Sequence, residues 1–220
     1  MLKRSDIQNV IDQYEDYHKV HLRYASYDFC YSYFQQNRGN LSRNMEHSCW
    51  VLWGYLASWG MMRGSSKLLN LSPEALRPLI EYFDKLDDTI WDVDVPKYND
   101  EKVITTIKGV FSKIVGKVNE IGVSPTNTLV TKIMMGVLGC IPAYDTYFTK
   151  MFRKLFEGQC AFRSVSKKSL LCIHEFYKSN QAELDLIKIN VLDFSGKETS
   201  MCYKIAKLID MYGFEKGKEK

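Results

Sequence analysis

Residues 124–156 decide the fold and read SPTNTLVTKIMMGVLGCIPAYDTYFTKMFRKLF. The first part of this stretch, roughly 125–138, is apolar on most faces, which is typical of a helix inside a core. Pro142 then predicts a bend, because proline does not continue a helix. From residue 146 onward, apolar residues recur at helical spacing with basic residues between them. The stretch therefore predicts two helices joined by a short proline loop.

The rest of the chain repeats this helical periodicity. Residues 44–63 are apolar nearly all round and predict a buried central helix, in which Gly54 and Ser58 would let another helix approach closely. The final EKGKEK is expected to fray. No run of alternating apolar and polar residues predicts a sheet. Further helices are predicted in 5–22, 27–39, 72–86, 100–121, 166–180 and 199–214.

These patterns predict an all-α protein. We expect a compact multi-helix bundle of about nine to eleven helices. The 220 residues fit a single domain, 1–220, because one core can still grow at that size. The same body could consist of two lobes with a cleft near 50–65 and 140–156.

Composition and termini exclude several classes of protein. The longest apolar segment, 48–62, has 15 residues, whereas a spanning helix needs ~20. The polar N-terminus has no apolar signal core, so we expect a cytoplasmic protein without membrane contact. The six cysteines and four histidines show no metal-ligand spacing, and no phosphate-binding glycine loop is present. We therefore expect no metal and no cofactor.

Asp145 is the residue whose role the pattern leaves open. It follows Pro142 and precedes a helix, and aspartate is a preferred N-cap residue. A carboxylate at this place could also take part in chemistry. Capping and catalysis do not exclude each other, so both interpretations stay open.

Basic residues are concentrated in one part of the chain. Residues 122–168 contain seven basic residues and two acidic ones, Asp145 and Glu157. Such a patch on a nearly neutral protein favours a polyanionic partner such as nucleic acid. The alternative is a solvated helix face.

One segment resembles a known family. IPAYDTYFTKMFRKL (141–155) is similar to the segment of helix–hairpin–helix (HhH-GPD-like) DNA glycosylases in which a proline loop delivers an aspartate to the start of an apolar and basic helix. IGVSPTNTLVTKIMMGVLG (121–139) resembles the hairpin and helix that precede that loop, with Gly122 and Val123 at the turn. The matching positions are Asp145, Thr146, Tyr147, Phe148, Met151, Arg153 and Leu155.

The resemblance implies a DNA glycosylase that flips a damaged or modified base out of duplex DNA and hydrolyses its N-glycosidic bond, with Asp145 catalytic. The chain departs from the family pattern in several places. Its hairpin reads GVS instead of Gly-x-Gly, and it lacks the iron–sulfur cysteines of some members. Thr126 or Asn127 occupies the place of the lyase lysine, which implies a monofunctional enzyme. Lys132 is an offset candidate for catalytic support.

The resemblance also implies a base pocket and a DNA surface. Most aromatic residues could equally form the core, and Arg63 could simply end a helix. The pocket candidates are Asp28, Tyr31, Trp53, Trp59, Arg63 and Tyr144. The DNA-binding candidates are Gly122, Ser124, Thr126, Lys150, Arg153, Lys154, Lys167 and Lys168.

Two other functions remain open. A non-catalytic all-α module that binds nucleic acid or a protein would need Asp145 only for stability. An all-α ribonuclease toxin would show an arginine and a histidine separated by four to six residues, whereas Arg43 and His47 have only three between them. A glycosylase could serve repair or antiviral defence against modified foreign DNA, and no obligate protein partner is evident.

Overall fold

Helices dominate the structure, a computed structural model that describes residues 5–15, 19–63 and 67–219. The prediction of a mostly helical protein is confirmed. Among the described residues the α-helices are α1 (Ser5–Glu15), α2 (Ala25–Gln36), α3 (Met45–Ser58), α4 (Arg77–Phe83), α5 (Asp88–Trp91), α6 (Glu101–Glu120), α7 (Asn127–Leu138), α8 (Thr146–Leu155), α9 (Lys167–Ser179), α10 (Gln181–Leu184) and α11 (Ile205–Lys218). Short 3₁₀ turns lie at Leu41–Asn44, Leu68–Asn70, Pro73–Leu76 and Val95–Lys97.

Side-chain caps explain where the middle helices begin. Asp100 accepts the backbone N–H of Lys102 at 2.7 Å and starts α6. The Thr126 hydroxyl accepts the N–H of Leu129 at 3.2 Å and starts α7. Each bond satisfies a donor that the first turn of a helix leaves free.

A short hairpin interrupts the helices near the C-terminus. Strands β1 (Asn190–Leu192) and β2 (Glu198–Cys202) pair antiparallel. The turn between them is built around Asp193, whose carboxylate accepts the N–H groups of Ser195 and Lys197. The prediction that a helix begins near residue 199 was therefore wrong, because a polar turn and tertiary contacts hold 198–202 extended.

The core is built around α7. Every residue of α7 from Leu129 to Leu138 is buried, because α2, α3 and α6 all pack against it. Gly136 lies against the ring of Tyr55 on α3, where any side chain would overlap that ring. The Tyr55 hydroxyl donates to the Lys132 carbonyl at 3.1 Å, so α3 and α7 meet closely at this point.

Helix α3 differs from its prediction. It ends at Ser58 and buries only one face, while Trp50 is 54% exposed on the other. A Cβ at Gly54 would meet no atom within 4 Å, so no helix approaches there. The predicted burial on all sides was wrong because α3 packs on the core through one face, whose buried residues are Ser48, Cys49, Leu52, Tyr55 and Leu56.

Helices α8 and α11 pack with almost no space between them. A Cβ at Gly213 would lie 2.6 Å from the Phe148 ring, and one at Gly217 would overlap the Tyr147 backbone. Lys150 on α8 donates to the carbonyls of Gly217 at 3.2 Å and Glu219 at 3.0 Å. The last turn of α11 is thus fixed to α8, and the prediction of a frayed tail was wrong for residues 215–218.

In the part of the chain that the structure describes, none of the helices combines the length and the apolar character needed to cross a lipid bilayer.

We predict that Gly217→Ala destabilises the fold by about 1–3 kcal/mol, because the new methyl group must push α11 away from α8. Gly116→Ala is the matched control, since a Cβ at Gly116 on α6 meets open space. That change should stabilise the protein by about 0.5–1 kcal/mol through helix propensity. Urea unfolding monitored by circular dichroism measures both, and equal midpoints for the two variants would contradict the proposed packing.

Candidate functional site

Asp145 lies at the N-terminus of α8 and joins two interactions. Its Oδ1 accepts the N–H of Phe148 at 2.9 Å, which confirms the predicted cap. Its Oδ2 lies 3.3 Å from Nζ of Lys132 on α7. The Asp145 side chain is 12% exposed and that of Lys132 is 3% exposed. The carboxylate therefore sits at the edge of the core, with a buried ammonium behind it.

The loop before Asp145, residues 140–144, is bound on several sides. Its residues are buried, so its backbone groups must find partners inside the protein. The Ala143 N–H donates to Asp210 at 2.9 Å, and the Tyr144 N–H donates to the Thr131 hydroxyl at 2.8 Å. The Thr128 hydroxyl donates to the Tyr144 carbonyl at 2.9 Å, and the Tyr98 hydroxyl donates to the Cys140 carbonyl. The loop is therefore rigidly placed, and so is the carboxylate that follows it.

Lys132 also contacts an aromatic ring. Its Nζ lies 4.4 Å from the ring centroid of Trp59 and 6.0 Å from that of Phe214. At such distances a cation is attracted to the π face of an indole. The Trp59 Nε1–H is buried and has no hydrogen-bond partner among the described residues. The structure thus brings together three residues predicted from the sequence, Lys132, Trp59 and Asp145.

A second buried ion pair lies beside the first. Lys207 on α11 is fully buried, and its Nζ is 3.3 Å from Oδ2 of Asp210. The same ammonium is 4.9 Å from the Trp59 centroid and 4.5 Å from that of Tyr27. Burial lowers the pKa of Lys207, Asp210 opposes this shift, and nearby Lys132 adds to it. Two lysines, each paired with an aspartate, therefore lie against the Trp59 ring.

Sequence reasoning missed Lys207 and Asp210, although a signal was present. The two charges are three residues apart in AKLIDM (206–211), where every other residue is apolar. Opposite charges at this spacing face each other on a helix. Inside an apolar helix, such a pair indicates a buried ion pair.

The remaining base-pocket candidates have mainly structural contacts. Asp28 is fully buried and accepts bonds from the Tyr203 hydroxyl at 2.5 Å and the Leu192 N–H at 2.8 Å, so it attaches the hairpin to α2. Tyr31 is buried and stacks on the neighbouring Tyr27 ring. Trp53 is half-buried on α3, and Arg63 is exposed beyond the end of that helix.

Tyr144 is buried directly before Asp145. Its hydroxyl donates to Ser169 at 3.0 Å, and its ring stacks on Phe148 at 5.6 Å. Burial raises the pKa of the Tyr144 hydroxyl, which the hydrogen bond to Ser169 partly offsets. Tyr144 therefore packs the end of the loop against Phe148 and Ser169.

The DNA-binding candidates differ in their contacts within the protein. Gly122 has φ +77 in the turn between α6 and α7, where glycine avoids strain. Lys150 and Lys167 are already engaged, Lys150 with the end of α11 and Lys167 in an ion pair with Glu101. Arg153, Lys154 and Lys168 are exposed and make no ion pair within the described part of the chain, and Ser124 and Thr126 are exposed in the turn before α7.

Comparisons of the chain with protein-family models, with curated proteins and with solved structures gave no match. The site is therefore interpreted from its own geometry. Within the described ranges, no group of three His, Cys, Asp or Glu side chains is arranged to hold a metal ion.

We predict that Lys207 makes stability depend on pH. Its pKa is lowered in the folded protein, so between that value and the ordinary lysine pKa of about 10.4 the unfolded chain binds more protons. The contribution of Lys207 to the free energy of unfolding should therefore rise with pH in this window. Lys207→Met should make the free energy of unfolding increase less with pH.

Urea unfolding at several pH values from about 7 to 10 measures this slope. The double variant Lys207→Met, Asp210→Asn is the companion, because it removes both charges and keeps an acceptor for the Ala143 N–H. If the free energy of unfolding changed with pH equally in the wild type and in both variants, Lys207 would not be the source of the pH dependence.

Proposed function

We propose that the chain is a monofunctional DNA glycosylase that hydrolyses the N-glycosidic bond of a damaged or modified base, in repair or in defence against modified foreign DNA. One observation carries the proposal: a carboxylate at the edge of the core, Asp145, is fixed by a rigid loop and backed by a buried ammonium, Lys132. The resemblance of residues 120–156 to the helix–hairpin–helix family points to the same aspartate. We propose with this function that the helices adopt an HhH-GPD-like fold.

The chemistry needs a fixed negative charge beside the sugar. Breaking the glycosidic bond leaves positive charge on the anomeric carbon, and a nearby carboxylate stabilises it. A water oxygen then bonds to this carbon and its proton passes to Asp145. The base departs with the bonding electron pair and takes up a proton. No lysine attacks the sugar, so no lyase step follows.

Lys132 is a positioning residue in this scheme. Its ammonium holds Oδ2 of Asp145, while the Phe148 N–H holds Oδ1. The Trp59 ring in turn holds the ammonium. A preorganised carboxylate needs little rearrangement when positive charge develops, which is the main source of electrostatic catalysis.

Exposed positive charge on α8 and at the start of α9 supports a DNA partner. Arg153 and Lys154 lie in the last turn of α8, the helix that Asp145 caps, and Lys168 lies at the start of α9. Their side chains are exposed, so they can reach phosphates without breaking an internal contact. Phosphate contacts of this kind would make the affinity fall steeply with salt.

Two observations favour the alternative, a non-catalytic all-α module that binds nucleic acid or a protein. Both oxygens of Asp145 already have partners within the protein. Two of the basic candidates, Lys150 and Lys167, also have internal partners. In this case Asp145 would serve only to start α8 and to neutralise Lys132.

We predict that Asp145→Asn lowers base release by at least about 100-fold, because asparagine caps a helix as well as aspartate but carries no charge. Wild type and variant are incubated with duplexes that carry a panel of damaged and modified bases. Alkali-labile abasic sites are then counted on denaturing gels. Asp100→Asn is the matched control, since Asp100 caps α6 through the same kind of bond and should keep full activity.

The outcomes separate the two functions. Equal activity of wild type and Asp145→Asn would reject the catalytic role of Asp145. Duplex binding without base release across the whole panel would favour the non-catalytic module. Thermal unfolding of both variants checks that the folded fraction is unchanged.

A further inference from the structure

A cavity of about 690 Å³ lies between α2, α3 and the hairpin turn. Its lining residues recur along α2 from Ser26 to Gln36 and along α3 from His47 to Ser58, so it follows both helices for several turns. Cavities of 300–1,000 Å³ are typical of small-molecule sites. Neither Asp145 nor Lys132 lines it, so it is separate from the proposed glycosylase site.

Aromatic rings shape this cavity. Phe29 and Phe194 pack against each other with ring centroids 5.1 Å apart. Phe194 is 85% exposed and Trp50 is 54% exposed, although exposing large apolar rings to water is unfavourable. Both rings line the cavity, as does Tyr33. Rings left in solvent around a concave surface favour a flat, apolar ligand.

Gly54 keeps the cavity open. It lies inside α3, where glycine costs about 1 kcal/mol relative to alanine. No close contact requires a glycine there, since a Cβ would meet nothing within 4 Å. Gly54 lines the cavity, so a larger side chain at this position would occupy the space of a ligand.

The guanidinium of Arg23 favours an anion at the cavity. The two charged lining residues are Arg23 and Asp193, with His21 and His47 as further polar groups. The Asp193 carboxylate is engaged within the hairpin turn, where its Oδ1 accepts hydrogen bonds from the backbone N–H groups of Ser195 and Lys197. Arg23 is exposed, and it makes no ion pair among the described residues, contacting the hydroxyl and ring of Tyr24 instead. Its guanidinium can therefore bind an anionic group at the cavity.

We propose that this cavity binds a planar aromatic molecule that carries an anionic group. The rings of Trp50, Tyr33 and Phe194 contact its flat body, and Arg23 contacts its charge. This site is independent of the proposed glycosylase reaction. Tyr55 lies between the two sites, because it lines the cavity and its hydroxyl donates to the Lys132 carbonyl.

Two fluorescent probes test the proposal with the 220-residue chain. 1-Anilinonaphthalene-8-sulfonate is an aromatic anion with a flat naphthalene ring, and N-phenyl-1-naphthylamine has the same rings without the sulfonate. Gly54→Leu fills the cavity, and Gly109→Leu on α6 is its control, since a Cβ there also meets open space. Both substitutions should raise helix stability, so lost binding would not reflect unfolding. Arg23→Gln removes the positive charge.

We expect the wild type and Gly109→Leu to bind the anionic probe with Kd values within about twofold, and Gly54→Leu to bind it at least about tenfold more weakly. The neutral probe should bind the wild type about tenfold more weakly than the anionic one, and Arg23→Gln should remove this preference. No binding by the wild type, or unchanged binding by Gly54→Leu, would overturn the site. Equal affinity of the wild type for both probes would overturn its preference for an anion.

Discussion

The structure depends on a loop that runs through the core. Residues 140–144 are buried, and a buried backbone group without a partner costs about 1–3 kcal/mol. Four side chains from other elements meet this need, and they come from α7, from α11 and from the segment before α6. The helices that supply them must therefore be in place together. The position of Asp145, the residue that follows the loop, is therefore fixed by the packing of these helices.

The two buried ion pairs need an explanation beyond stability. Burying a lysine and an aspartate costs desolvation energy that their attraction often fails to repay, and apolar residues of similar size can be as stable or more so. Lys132 and Lys207 both have their ammonium groups within 5 Å of the Trp59 centroid. Asp210 uses its second oxygen to hold the Ala143 N–H of the loop. The two ion pairs thus cost stability but hold the Asp145 carboxylate in a fixed position, an arrangement that is typical of functional sites.

Local sequence predicted much of the middle of the chain and little of its long-range contacts. Helices α6, α7 and α8 were predicted to within about two residues, because apolar spacing and their caps act locally. The hairpin was missed because its main anchor, Asp28, lies more than 160 positions away from β1. The open face of α3 was missed because periodicity does not reveal which faces find partners. Resemblance led to Asp145, whereas the sequence signal of Lys207 and Asp210 was local, and only the structure places this pair beside the loop.

The central claim is that Asp145 stabilises positive charge on the sugar, and it can be measured without knowing the excised base. A duplex with a pyrrolidine ring in place of one deoxyribose carries that charge, and a duplex with a tetrahydrofuran ring does not. We expect the wild type to bind the charged analogue at least about tenfold more tightly, and Asp145→Asn to lose this preference. Equal binding of both duplexes by the wild type would contradict the claim.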